Sequence, residues 1–253
     1  MKLIKVFKTL VLAFLKKEPR AMDYVKRRSF FLLAQKIAGF ISSECLTFEF
    51  GKTWFKDRNF VRNYRKFYGK LDYSQLEKKF NLFQLANSTE GLIGNTAECG
   101  AYRGASSFFI CLAIVGKQKT HHVFDSFEGL SQPGESDGIF WEKGYLKASE
   151  AEVAHNLSEF DFCRIHKAWI PKAFPEVECE KFSFLHIDVD LYQPTFQSLE
   201  FFYPRMVSSG LIVCDDYGFE TCPGAQKAFD GFFLDKPEKP IHLSSGQAFV
   251  IKK

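Results

Sequence analysis

The sequence predicts an α/β chain whose main part is a doubly wound, mainly parallel sheet. Three observations point there. Short apolar runs alternate with helical segments from Gly94 onward. Residues 182–218 read as one strand–helix–strand unit, the connection that parallel strands require. Acidic residues stand at the ends of several apolar runs, and a parallel sheet gathers such ends on one edge.

Strands are expected near Asn95–Glu98, His122–Phe124, Arg164–Lys167, Phe184–Ile187, Leu211–Cys214 and Ala248–Ile251, with helices between most of them. In the unit 182–218, the run from Phe182 to Ile187 ends in Asp188 and Asp190. Tyr192 to Met206 has helical spacing: Phe196, Leu199, Phe202 and Tyr203 recur at three- and four-residue steps, and Pro194 sits near the start, where a missing N–H costs little. Ser208-Ser209-Gly210 is expected to break that helix, and Leu211–Val213 then leads to Asp215-Asp216. Residues 131–149 are polar and contain glycines, and they read as a loop or lid over a site. Ahead of the sheet, residues 1–75 form a basic, mainly helical extension with helical patches at Tyr24–Phe40 and from Tyr73 to Phe83, the last running into the main domain, 76–253.

The composition is that of a globular protein: 46% hydrophobic and 25% charged residues. Thirty phenylalanines imply a Phe-rich core. The net charge of +4 hides an asymmetry, since residues 1–80 carry +12 and the remainder −8. A solvated helical surface is the preferred reading of the basic segment, and no nucleic-acid partner is expected. Residues 1–17 are apolar without interruption only from Leu10 to Leu15, too short to span a bilayer, and show no cleavage site. They suit either peripheral contact with a membrane surface or a packing helix in a homo-oligomer. Seven cysteines with no C-x-x-C pair fit reduced thiols in a cytoplasmic protein.

The candidate chemistry lies at the strand ends. Neighbouring parallel strands are about 4.8 Å apart, so Asp188 is expected beside Asp215 and Asp216. Three carboxylates in one crevice repel unless a cation or protons compensate, and oxygen-only ligands favour a hard ion such as magnesium. Capping of the adjoining elements is the competing role for these aspartates and for Asp190. His186, one strand period from Asp188, reads as a core or supporting histidine. After the first strand, Gly100 and Gly104 form G-x-x-x-G, suited to a tight turn close to a ligand. Tyr102 stands where a dinucleotide fingerprint needs its second glycine. Glu98 ends that strand, able to accept hydrogen bonds from an ammonium or hydroxyl group. Asp125, ending the next strand and followed by Ser126, is placed either to bind two ribose hydroxyls or to cap a helix. Trp169 is placed either to stack on an adenine or to pack in the core.

The ordered set ECGAYRG, FDSFEGL, HIDVDLY, YPRMVSSG and CDDYG resembles the macrocin O-methyltransferase family over about residues 76–253. The resemblance implies a seven-stranded class I methyltransferase sheet using S-adenosylmethionine and Mg2+. It implies that Glu98, Gly100, Ala101 and the turn Tyr102, Arg103, Gly104 and Ser106 hold the methionine part of the cofactor. Asp125 with Ser126 would hold the ribose, and Asp188, Asp215 and Asp216 the magnesium. Asp188 would be catalytic, with the identity of the general base open. The implied acceptor is a hydroxyl of a sugar, glycosylated metabolite or polysaccharide. A phenolic diol is the competing acceptor, because a metal chelates either diol, and a non-catalytic relative acting through its basic front segment is the competing class. Val189 and Ala168 replace residues often glycine in the family, and neither change removes a chemical group.

Overall fold

The structure, a computed structural model, describes residues 21–41, 57–67 and 75–253. The chain divides into two compact units at 62/63, ahead of the expected boundary at 75/76. In the first unit α1 spans Ala21–Ile41. Among the described residues no helix is long and apolar enough to cross a membrane. Residues 1–17, read as suiting either peripheral membrane contact or a packing helix, lie outside the described residues. The next helix, α2 (Arg58–Tyr64), is capped by Asp57, whose Oδ1 accepts from Asn59 N at 2.9 Å and Phe60 N at 3.1 Å.

The second unit begins its regular part with α3 (Leu76–Ser88) and continues as β1 (Asn95–Cys99), α4 (Ala105–Ile114), β2 (His121–Asp125), α5 (Glu150–Asn156) and β3 (Cys163–Lys167). It is completed by β4 (Phe182–Ile187), α6 (Tyr192–Phe202), β5 (Met206–Cys214), α7 (Pro223–Phe233), β6 (Ile241–His242) and β7 (Ala248–Ile251). The seven strands are ordered β3-β2-β1-β4-β5-β7-β6. Strands β1 to β5 are mutually parallel, and β7 runs antiparallel to both β5 and β6. The order reverses beside β1, so the crevice beyond the carboxyl ends of β1 and β4 is where such a sheet accepts a ligand.

Strand periodicity sorts the core into two layers. Phe184 of β4 and Leu211 and Val213 of β5 pack with Leu82 and Ala86 of α3 and with Ile110 and Ala113 of α4. Leu185, Ile187, Ile212 and Cys214 face the other way, against Leu199 and Phe202 of α6 and Phe229 and Phe233 of α7. Phe202 is the hub of that layer, with ring centroids 5.0 Å from Phe174 and Phe182 and 5.7 Å from Phe124. The phenylalanine surplus is spent here; edge-to-face rings fill volume and add attraction beyond area burial.

Two elements differ from the expectation. Helix α6 stops at Phe202, and the turn Tyr203–Arg205, with Pro204 unable to donate, leads directly into β5. Ser208-Ser209-Gly210 therefore lies inside a strand. The pairing steps from Phe182↔Met206 to Phe184↔Leu211, which makes this stretch a bulge. Its backbone pairs with the chain end: Ser209 N donates to Lys252 O at 2.7 Å and Lys252 N to Gly210 O at 2.8 Å. Strand β6, two exposed residues, carries no apolar pattern to read.

Candidate active site

A cavity of about 390 Å³ opens at the carboxyl ends of β1, β2, β4 and β5. It is lined by Gly100, Ala101, Tyr102, Arg103 and Ser106 on one side and by Asp188, Asp190, Asp215 and Asp216 on the other. Asp125, Ser126 and Trp169 line it beyond β2.

At the β1 end the glycine turn is forced by close packing. Gly100 has φ +84, and a Cβ there would stand 1.9 Å from Asp188 O. Gly104, also at φ +84, precedes α4 without a side-chain cap. Asp125 organises this end. Its Oδ2 accepts from Ala101 N at 2.7 Å and Tyr102 N at 3.1 Å, and its Oδ1 from Phe127 N at 2.7 Å. No helix follows Asp125 directly, so the capping alternative fails: the residues after it turn, with Ser126 Oγ accepting from Glu128 N at 3.1 Å. Arg103 Nε donates to Glu152 Oε1 at 2.7 Å at the rim. Glu98 is not a wall residue. It is fully buried beneath the floor, accepting from Ser107 Oγ and bonded through Oε1 to His186 Nδ1 at 2.7 Å. The strand register explains this: Glu98 points to the α4 face, one residue short of the turn that forms the wall.

At the β4–β5 end four carboxyl groups converge. Asp215 is the most tightly held: Oδ1 meets His186 Nε2 at 3.2 Å and accepts from Gln247 Nε2 at 2.8 Å, and Oδ2 accepts from Lys78 Nζ at 2.5 Å. Burial alone would raise its pKa, but Lys78, Lys79 and His186 hold it well below the carboxylate range. The reverse holds for the others. Burial, reinforced by Asp215, pushes Asp188 up to about 6. Burial and the charge of Asp188 push Asp190 up to about 7, and burial with Asp190 pushes Asp216 well above its ordinary value. His186 moves oppositely: burial disfavours its charge, but the bonds to Asp215 and Glu98 prevail and raise it to about 10. It is thus an imidazolium clamped between two carboxylates.

Asp190 does not cap α6. The helix's first N–H, from Tyr192, donates to Asp137 Oδ1 at 2.6 Å, so the segment 131–149 is pinned to α6 by a buried aspartate. Asp190 has φ +59; its N donates to Asp216 Oδ2 at 2.9 Å, and its Oδ1 accepts from Cys222 Sγ at 3.4 Å. Cys222 Sγ in turn accepts from Trp141 Nε1 of the 131–149 segment at 3.4 Å.

The donor set suits a hard divalent cation. Ligand-grade atoms cluster as His186, Asp188 and Asp215 and as Asp190, Asp216 and Cys222, with each group's atoms within 4.8 Å of one another. Both His186 nitrogens and the Cys222 sulfur are already engaged, which leaves carboxylate oxygens as the available donors. Three carboxyls with raised pKa values mark a crevice short of positive charge. Among the described residues no hydrogen-bond donor reaches the Asp188 carboxylate, and Asp188 lines the cavity. Lys78, Gln247, Cys222, Asp137 and Trp141 were not singled out as site residues from the sequence. Only the acid–strand pattern carries a signal, and these residues lie on helices and loops outside that pattern.

Known proteins bear on this geometry. The profile of the macrocin O-methyltransferase (TylF) family matches residues 74–237. A tetracenomycin rhamnosyl 4'-O-methyltransferase of Streptomyces olivaceus is 28% identical over 156 residues, covering 56% of this chain and 60% of the relative. Demethyldecarbamoylnovobiocin O-methyltransferase of Streptomyces niveus is 27% identical over 175 residues, covering 60% and 64%. The chain thus spans less than two thirds of the curated relatives it matches. The solved O-methyltransferase NovP superposes with a TM-score of 0.63 at 22% identity, over 88% of this chain and 98% of that one. Calicheamicin methyltransferase CalS11 superposes at 0.62 with 14% identity, over 81% and 94%. These two likenesses establish the seven-stranded class I methyltransferase fold. With the profile covering more than half of its length, the chain belongs to the macrocin O-methyltransferase family.

Proposed function

We propose that the chain is an S-adenosylmethionine- and magnesium-dependent O-methyltransferase acting on a sugar hydroxyl of a glycosylated metabolite or polysaccharide. The observation that carries this is the crevice itself: a glycine turn at β1 facing four carboxyl groups at β4 and β5 across one cavity. One of the relatives is named for methylating a rhamnosyl group, which favours a saccharide acceptor. The O-methyltransferase from Bacillus cereus, solved with S-adenosylhomocysteine, shares the fold at a TM-score of 0.53, which supports the choice of methyl donor.

In this reading the donor would supply an electrophilic methyl group, and a divalent cation would supply Lewis-acid activation of the acceptor hydroxyl. The chain's residues do the rest. Asp188, Asp215 and Asp216 would hold the cation. His186 and Gln247 fix Asp215 from beneath, so its oxygens keep one orientation. Asp190 takes the acceptor's proton: it lines the cavity beside Asp216, whose Oδ2 its backbone N–H holds. The Gly100–Ser106 turn seats the amino-acid end of the donor, and Asp125, whose two oxygens keep a lone pair beyond the three backbone N–H bonds, accepts from a ribose hydroxyl. Glu98 acts through His186 from below the floor.

Incubation with S-adenosylmethionine, Mg2+ and two panels, glycosides with vicinal hydroxyls and catechols, tests the reading. Methylation of a glycoside is expected. Methylation confined to catechols overturns the acceptor assignment, and turnover on neither by protein that fails to bind the donor overturns the enzyme reading.

A further inference from the structure

At the acidic end of the cavity one carboxylate is neutralised by the chain itself. Lys78 and Asp215 are both buried, and Lys78 Nζ donates to Asp215 Oδ2 at 2.5 Å. The two oxygens of Asp215 are used differently. Oδ1 is held by His186 Nε2 and Gln247 Nε2, whereas among the described residues Oδ2 meets Lys78 alone. Oδ2 is therefore the oxygen that Asp215 can offer to a cation, and it is the one the ammonium holds. Among the described residues no other lysine ion-pairs with the four carboxyls, since Lys79, the next residue of α3, donates to Ser106 Oγ instead. The backbone of Lys78 is anchored and its ammonium is not. Its carbonyl lies in α3 and accepts from Gln247 Nε2 at 3.4 Å, the same amide that holds Asp215 Oδ1. The side chain is a flexible four-carbon stem, and Nζ lies 4.0 Å over the ring of Phe219, which lines the cavity with it. An aromatic face retains an ammonium when its carboxylate partner is withdrawn.

We infer that Lys78 is a stand-in for the cation at Asp215: it neutralises that carboxylate in the cation-free protein and yields Oδ2 to a divalent ion, keeping its place on the face of Phe219. The inference rests on the magnesium reading and deepens it, by making ion and ammonium alternatives at one oxygen. The reason is charge. An ammonium bonded to Oδ2 would stand beside a divalent cation on the same oxygen, and like charges that close repel strongly in a buried crevice. Without either, the carboxyls repel one another. Lys78 thus stabilises the cation-free protein and lowers its cation affinity. The opposite role is that Lys78 stays bonded to Asp215 and orients it, as His186 and Gln247 do, which would strengthen cation binding.

Calorimetric titration with Mg2+, and thermal unfolding with and without it, separate the two roles with no turnover involved. The proteins are the wild type, Lys78→Met, which keeps an unbranched stem and removes the charge, and Lys78→Arg, which keeps the charge. Lys78→Met is expected to bind Mg2+ about tenfold more tightly than wild type, because the ion no longer displaces an ammonium. It is also expected to unfold at a lower temperature without Mg2+ and to gain more from saturating Mg2+ than wild type does. A Lys78→Met protein that folds only in the presence of Mg2+ supports the stand-in role equally. Lys78→Arg is expected to bind Mg2+ no more tightly than wild type, and tighter binding by this variant overturns the inference even if Lys78→Met does not fold. Unchanged or weaker Mg2+ binding by folded Lys78→Met overturns it too and makes Lys78 an orienting partner of Asp215. Folded wild type and variants that all fail to bind Mg2+ overturn the magnesium reading itself, and the inference with it.

Discussion

The two ends of the cavity are built from the same element, the carboxyl end of a parallel strand, and carry opposite electrostatics. At β1–β2 the polar atoms are mostly backbone N–H groups, and the single wall carboxylate, Asp125, is satisfied by three of them. At β4–β5 four carboxyls converge, and only Asp215 among them is ion-paired, to Lys78 and His186. The floor beneath shows the same contrast in two fully buried histidines linked through Ser107 and Glu98. His121, bonded to Thr96 Oγ1 at 2.9 Å and Ser107 Oγ at 3.1 Å, is pushed down to about 4, chiefly by burial. His186, between Glu98 and Asp215, is raised to about 10. Identical burial gives a neutral ring in one place and an imidazolium in the other, because only the second has two carboxylates in contact. One end is thus preorganised for hydrogen-bonding a ligand, the other for holding positive charge.

The largest break in this comparison is expected from Asp188→Ala. It removes the carboxylate that no donor among the described residues satisfies, and turnover should fall about 10⁴-fold or more while the binding of S-adenosylhomocysteine stays within about threefold. Loss of cofactor binding in a folded Asp188→Ala would show that the two ends are not separable. Asp190→Asn follows, with an expected kcat loss of about 10² to 10⁴ and little change in cofactor affinity, read from single-turnover kinetics. An Asp190→Asn enzyme with unchanged kcat would move the base elsewhere. At the opposite end, Gly100→Ala forces a Cβ into Asp188 O at positive φ and should destabilise the fold by about 2–4 kcal/mol in urea denaturation. A wild-type midpoint there would contradict the close approach of β1 and β4.

The histidines give a pH signature with a defined sign. The folded pKa of His121 lies below its ordinary 6.5, so the unfolded chain binds the proton more readily, and stability is lost as pH falls from about 6.5 to about 4. His186 contributes stability that is complete below about 6.5 and is lost as pH rises toward about 10. His121→Gln should flatten the acid limb of the stability curve and leave the alkaline limb in place. An acid limb unchanged in that variant would mean that His121 does not carry a lowered pKa in the folded state. The smallest effect is expected from Trp141→Phe, which removes the donor to the Cys222 thiol at 3.4 Å. A neutral bond of this kind is worth about 1 kcal/mol, so kcat/KM should fall by less than about tenfold.

Much of this arrangement is legible in the sequence, and the parts that are not share a cause. Six of the seven strands and the helix between β4 and β5 are legible in the sequence; β4, buried at every position, leaves the plainest apolar run. Asp188, Asp215, Asp216 and Asp125 follow from their place after those runs. Glu98 was placed one layer too far out: its position at a strand end is readable, but which face the last residue takes depends on where the turn begins. Lys78 and Gln247 meet Asp215 from 137 and 32 residues away, and nothing local distinguishes them from surface residues of α3 and the approach to β7. Asp137 looked like one polar residue among many in a loop, yet it caps α6. Ser208-Ser209-Gly210 read as a helix stop because turn-forming residues are also what a bulge uses.

The most direct test of the central claim, one cavity with a cofactor end and a metal end, is isothermal titration of wild type and Asp215→Asn/Asp216→Asn with S-adenosylhomocysteine and, separately, with Mg2+. The account predicts that both proteins bind S-adenosylhomocysteine with similar affinity and that only wild type binds Mg2+. Folded wild type that binds neither, or a double variant that retains Mg2+ binding, would contradict it.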